Sequence, residues 1–302
     1  MTLGSSNLQV PVVAVGCMRI NSLDAGEAER FVKGAVDLGA TFFDHADVYG
    51  DGRCEEIFAD AIDMSSAVRD QIVLQSKVGI RPGAFDFSKK HILASVDGIL
   101  RRLRTEHLDV LLLHRPDALV EPAEVAEAFD KLESDGKVRH FGVSNQNPMQ
   151  MELLRRWVRQ PLMANQLQLS ITNATMITAG INVNMLGESS VDRDGSVLDY
   201  CRLNDITIQP WSPFQYGFFE GVFLGNDKFP ELNKAIDEVA ARYDVSATTM
   251  AIAWLLRHPA QMQPVTGTTK PERLTECVAA SEVHLTREEW YAIYLAAGNI
   301  LP

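Results

Sequence analysis

Three apolar runs of the chain end on ionisable side chains: TFFDHADVYG (41–50) on Asp44 with Tyr49 just beyond it, QIVLQSK (71–77) on Lys77, and LDVLLLH (108–114) on His114. An ammonium at the end of a core strand is costly unless it is paired. Asp44 is the partner at hand. A cation beside a phenol favours the phenolate, whose parent pKa is about 10, so Lys77 is expected to make Tyr49 a better proton donor. His114 is placed to orient and polarise a carbonyl. Together the four side chains read as a proton donor beside a carbonyl site. No nucleophile stands next to a base, which disfavours acyl transfer. Asp44, His45 and His114 are also plausible metal ligands. No HxH or HExxH pattern accompanies them, however, and Lys77 at the same place would repel a cation, so no metal is expected. The structural alternative for the first stretch alone is that Asp44 caps the next helix and Tyr49 packs on its first turn.

Such a cluster needs several strands that end side by side. Strand-like segments run over Leu8–Ile20, from Thr41, and over Gln71–Lys77, Leu108–His114, Val138–Val143, Leu162–Leu169, Ile206–Trp211 and Gln263–Thr266. Helical spacing appears between them, over Asp24–Gly39, Glu55–Ile62, Ser88–Leu103, Val125–Leu132, Met149–Trp157, Val197–Leu203, Pro230–Tyr243, Ser246–His258 and Pro271–Ala280. The alternation predicts an α/β fold, a (β/α)8 TIM barrel forming one domain over residues 1–302. Turn-rich Gly4–Asn7 adds an N-terminal hairpin and Thr286–Ala297 an extra C-terminal helix. The polar stretch Ser170–Ser196 is expected to be an inserted loop over the mouth. A doubly wound sheet is the competing architecture, but Val15, Gly16 and Cys17 lack the other glycines of a dinucleotide-binding fingerprint.

The formal charge of −12 argues against a nucleic-acid surface. No run approaches the roughly 18 apolar residues of a membrane span, and no basic segment with an apolar signal core begins the chain. Cys17, Cys54, Cys201 and Cys277 are scattered, which suggests reduced thiols and a cytoplasmic location. An anionic ligand must therefore find a local basic spot. Gly267, Thr268, Thr269 and Lys270 precede a helix with Pro271 in its first turn and Arg273 on it, offering N–H groups and cations to an anion.

Taken together, FFDHADVYG, QSK and LLLH resemble the Asp, Tyr, Lys and His strand ends of the aldo-keto reductase family. GVSN (142–145), NQLQ (165–168) and WSPF (211–214) resemble that family's cofactor-binding strand ends, and HRPD is similar to its bacterial branch of predicted oxidoreductases. The resemblance covers nearly the whole chain. It implies an NADPH-dependent reduction of an aldehyde or ketone, with Tyr49 as acid, Lys77 as modulator of its pKa, Asp44 as the partner of Lys77, and His114 orienting the carbonyl. It further implies that Ser144, Asn145 and Gln166 hold the nicotinamide carboxamide. Trp211 would stack on the ring, where the family more often has Tyr, within a segment continued by Ser212, Pro213 and Phe214. Gly267, Thr268, Thr269, Lys270 and Arg273 would grip the adenosine 2′-phosphate. Gly267 stands where many members have Lys, Cys277 where Asn is common, and His45 where Thr or Ser is common. The family also contains potassium-channel β subunits, so a cofactor-binding regulatory subunit with little turnover is the alternative. The substrate and the oligomeric state are not legible.

Overall fold

The computed structural model describes residues Met1–Pro302. Eight parallel strands close into a barrel in which each pairs with the next and the last with the first: β1 (Ala14–Gly16), β2 (Phe42–Asp44), β3 (Val73–Val78), β4 (Leu108–Leu113), β5 (Val138–Ser144), β6 (Leu162–Gln168), β7 (Thr207–Trp211) and β8 (Val265–Thr266). Apart from the single turn Ser66–Arg69, the α-helices are α1 (Ala25–Asp37), α2 (Arg53–Ile62), α3 (Lys89–Leu103), α4 (Pro122–Ser134), α5 (Pro148–Arg155), α6 (Thr175–Ile181), α7 (Val197–Leu203), α8 (Pro230–Tyr243), α9 (Ala247–Leu256), α10 (Pro271–Ala279) and α11 (Arg287–Ala296). The expected (β/α)8 barrel is thus present, with its extra terminal helix.

Barrel strands are covered by helices outside and by one another inside, so they are apolar on both faces. Every residue of β4, LDVLLL, is buried. Local signals set the helix starts. Asp24 and Glu27 form a capping box on α1, and Ser88 and Ser246 cap α3 and α9 by accepting from His91 and Thr249 N–H. The terminal helix is tied down by an exchange between indoles. Trp254 Nε1 donates to the Trp290 carbonyl at 3.1 Å and Trp290 Nε1 to that of Trp254 at 3.0 Å, with the rings stacked at 4.7 Å.

The apolar run Leu8–Ile20 departs from its expected form, because only Ala14–Gly16 is strand. β1 has ladder partners only at Val265 and Thr266 on one side and at Phe43 and Asp44 on the other; beyond them the chain turns into the 3-10 segment Cys17–Ser22. Upstream lies the N-terminal hairpin, with Thr2 bridged antiparallel to Gln9. It plugs the barrel floor: Leu3 and Val10 pack with Phe42, Val110, Leu112 and Ala164. At its turn Gly4 has φ +52°, and a Cβ there would meet the Met163 carbonyl oxygen at 2.4 Å, so only glycine fits.

The stretch expected to be a loop over the mouth is a second departure. Residues 170–196 contain α6, whose Met176 and Ile177 are buried and whose Thr178 Oγ1 accepts from the Tyr294 hydroxyl at 3.0 Å. α6 spans 7 residues, including Gly180 and two threonines. That is too short a repeat for helical periodicity to show. Two small hairpins, Ile80–Arg81 with Ala84–Phe85 and Gln215–Tyr216 with Gly221–Val222, decorate the loops after β3 and β7. No helix is long and apolar enough to cross a membrane, and all four cysteines are buried free thiols.

Candidate active site

Successive strand residues face opposite sides of a sheet. Phe42 packs in the cluster inside the barrel while Phe43 packs in the outer core between strands and helices. Asp44, two residues after Phe42, therefore faces inward. The same alternation turns Lys77 inward from Val73, His114 from Val110 and Leu112, and Gln166 from Ala164. At the ends of β2, β3, β4 and β6 it thus brings one carboxylate, one ammonium, one imidazole and one amide to a single place.

There Lys77 Nζ donates to Asp44 Oδ2 at 2.8 Å, to the His45 carbonyl at 2.7 Å and to the Tyr49 hydroxyl at 3.2 Å. The ammonium is fully buried, and these three acceptors satisfy its three donors. The Tyr49 and His114 rings meet edge to face, 6.0 Å between centroids. Three successive left-handed residues, Gly50, Asp51 and Gly52, turn the chain from Tyr49 into α2. They fix the phenol over the Lys77 ammonium.

The other oxygen of Asp44 belongs to a network absent from the sequence reading. Gln75 and Gln166 donate to Asp44 Oδ1 at 2.6 and 3.1 Å, and the chain of amides continues through Gln209 to Gln263 and the Pro11 carbonyl. All four glutamines are buried, which fixes the carboxylate's orientation. Their signal was available as an inward parity shared with Lys77 on β3 and with Trp211 on β7.

Burial changes the proton chemistry expected of these groups. It pushes the Tyr49 phenol above its ordinary pKa, and the opposing pull of the Lys77 charge does not outweigh it. The expectation of a net lowered phenol is thus corrected: the resting Tyr49 is firmly protonated, although Lys77 acts in the expected direction. Burial opposes the charge of Lys77, but the Asp44 carboxylate and Tyr49, with the hydrogen bonds they accept, together outweigh it, so Lys77 is raised. Burial, reinforced by Lys77 and Arg115, holds His114 well below the usual histidine range, so it is a neutral imidazole. His45 is neutral too, lowered to about 3 by burial and by Lys77, and its ring packs edge-on to Phe58 at 4.7 Å.

A cavity of about 840 Å3 opens above this cluster. Asp44, Tyr49 and His114 line it, whereas Lys77 does not. Ser144, Asn145, Gln166, the segment Trp211–Phe214, Gly267–Lys270 and Arg273 line it as well. Asn145 Nδ2 donates to Ser144 Oγ at 2.7 Å, Ser144 Oγ to the Gln166 carbonyl at 3.0 Å, and Trp211 Nε1 to Asn145 Oδ1 at 3.1 Å. Asn145 and Ser212, at the ends of β5 and β7, both hold a left-handed backbone, with φ +57° and +55°. Such outliers concentrate at functional sites.

Several lining residues were not anticipated as site residues: Arg19, which donates to the Gly267 carbonyl at 3.0 Å; Arg115; and Ser246, Ala247 and Thr248 at the start of α9. Only tertiary structure brings them here. No residue of 170–196 lines the cavity, whereas the segment 211–225 contributes from Trp211 to Gly225. The pocket is therefore shaped by the loop after β7 rather than by the stretch expected to cover it.

The sequence model of the aldo/keto reductase family matches residues 12–294. The chain belongs to the aldo/keto reductase family. Family membership makes it an NAD(P)H-dependent oxidoreductase. It is 36% identical to the uncharacterized oxidoreductase YcsN of Bacillus subtilis, over 97% of this chain and 96% of that protein. It is 31% identical to a 6-dehydroglucose reductase of Agrobacterium fabrum, over 97% and 96% of the two chains. Among solved structures, the thermostable aldo-keto reductase Tm1743 in complex with the inhibitor epalrestat shares the fold, with a TM-score of 0.79, 24% identity and 98% of each chain covered. The barrel brings Asp44, Tyr49, Lys77 and His114 into one cluster.

Proposed function

We propose that the chain reduces an aldehyde or ketone to an alcohol with NADPH, Tyr49 delivering the proton to the carbonyl oxygen. The observation that carries this reading is the buried chain Asp44–Lys77–Tyr49 beside a cavity that Arg19, Lys270 and Arg273 also line.

The residues present suit a nicotinamide dinucleotide phosphate. The cavity offers amide and hydroxyl groups on Ser144, Asn145 and Gln166 beside the flat indole of Trp211, a surface for a carboxamide-bearing ring. It also offers Thr268, Thr269, Lys270, Arg273, Arg19 and the first residues of α9, whose N–H groups favour anions. The planar fork of Arg273 suits the 2′-phosphate that distinguishes NADPH from NADH. When bound, the cofactor supplies a hydride to the carbonyl carbon.

The chain's own residues do the rest. Neutral His114 donates to the carbonyl oxygen and aims it at Tyr49. The phenol, kept protonated by burial, releases its proton to that oxygen as negative charge develops there. Lys77 stabilises the phenolate left behind, and Asp44 with its glutamines keeps the ammonium in place.

The test is a titration of the purified protein with NADPH and NADH, followed by 4-nitrobenzaldehyde. Aldehyde-dependent oxidation with NADPH favoured supports the reading. Tight binding without oxidation on any carbonyl would replace it with a regulatory, cofactor-sensing role, and absence of binding would remove it.

A further inference from the structure

Lysines and arginines that are not fully exposed in this chain are paired, with one exception. Arg69 bonds Asp109, Lys77 bonds Asp44, Lys89 bonds Glu127, Arg102 bonds Glu55 and Lys137 bonds Asp97. Arg115 is half-buried, yet its side chain makes no hydrogen bond and no ion pair. The acid closest to it in sequence, Asp117, is taken: Oδ2 accepts from Phe87 N–H at 2.9 Å and Oδ1 from Leu119 N–H at 2.8 Å. A partly desolvated guanidinium without an acceptor is an unmet demand.

Its position says what would meet that demand. Arg115 follows His114 directly, lines the cavity, and lies over the Trp211 ring at 5.5 Å. It therefore stands beside His114 without a hydrogen-bond acceptor, whereas Arg19 donates to the Gly267 carbonyl at 3.0 Å. The only carboxylate lining the cavity, Asp44, is already held by Lys77. In a chain of net charge −12, the cavity thus presents beside His114 a half-buried cation with no hydrogen bond and no ion pair.

We propose that Arg115 determines specificity by binding a carboxylate carried by the substrate, so that the favoured substrates are oxo acids and other carbonyl compounds bearing a carboxylate. The inference rests on the reductase reading above and names the substrate class for that site. The guanidinium fork matches a carboxylate bidentately. A phosphate dianion calls for more cations than the single one found here. Arg115 takes no part in the proton transfer.

The probe is a matched pair, 4-formylbenzoate and its methyl ester, with wild type, Arg115→Met and Arg115→Lys. Wild type favours the acid over the ester in kcat/KM, chiefly through KM. In Arg115→Met that preference falls about 10- to 100-fold, as for one charge-assisted pair, and Arg115→Lys restores part of it. An equal loss on both substrates, or no acid preference in wild type, overturns the proposal. If neither aldehyde is turned over, the reductase reading has failed. Binding of benzoate, followed by Trp211 fluorescence, then still decides the anion site: loss of binding in Arg115→Met upholds it and unchanged binding rejects it.

Discussion

The Lys77 ammonium stands 3.2 Å from the Tyr49 hydroxyl and 2.8 Å from Asp44 Oδ2, fully buried between a phenol that must give up a proton and a carboxylate that has no other cation. It serves two purposes at once. It neutralises a buried charge, and it lies where negative charge appears when the phenol ionises.

Removing Lys77 should therefore damage both stability and turnover. Lys77→Met leaves Asp44 buried without its cation and is expected to lower stability by about 3–5 kcal/mol. Aldehyde reduction should fall roughly 100- to 10,000-fold, the range of a lost acid–base contribution. Urea unfolding and NADPH-oxidation rates check the two effects. In Lys77→Met combined with Asp44→Leu, stability should recover and activity should not. Recovery of activity in the double variant would contradict the role given to Lys77.

Cofactor choice should depend on Arg273. Arg273→Leu is expected to raise the NADPH dissociation constant by roughly 10-fold or more, the scale of one hydrogen bond to a charged group, with little change for NADH. Fluorescence titration of each cofactor checks it. An equal loss for both would place Arg273 away from the 2′-phosphate.

Asp47 gives a pH signature of the loop that carries Tyr49. Burial, reinforced by Glu55 and opposed by Arg102, raises its carboxyl to about 6. Between the unfolded value near 4 and that folded value, the folded chain binds the extra proton, so this group's contribution to stability is largest below pH ~4 and is lost as pH rises through 6. Asp47→Asn should remove the penalty, gaining stability relative to wild type by up to roughly 2–3 kcal/mol at pH 7 and almost nothing at pH 4. Thermal melts at the two pH values read the difference, and a gain independent of pH would exclude Asp47 as its source.

Much of this was legible before any coordinates, and the reason is physical. Strands covered on both faces must be apolar, so LDVLLLH marks itself, and a lysine or histidine ending such a run has no bland explanation. Helix starts were legible where a side chain caps them, as at Asp24 and Ser246. What stayed hidden depended on long-range contacts. Gln75, Gln166, Gln209 and Gln263 come from four separate strand regions and form one network only when the barrel closes. The raised pKa of Tyr49 follows from burial, which a sequence does not quantify, and so the pull of Lys77 alone misled. α6 was hidden by its brevity, and Arg115 drew no notice because its lack of a partner is visible only in three dimensions.

The most direct test of the central claim is a comparison of wild type with Tyr49→Phe, measuring NADPH binding by fluorescence and 4-nitrobenzaldehyde reduction by loss of reduced nicotinamide absorbance. The account predicts that Tyr49→Phe folds and binds NADPH as wild type does, with reduction lowered roughly 100- to 10,000-fold. Reduction at a wild-type rate by Tyr49→Phe would contradict it, because the proton would then be coming from elsewhere.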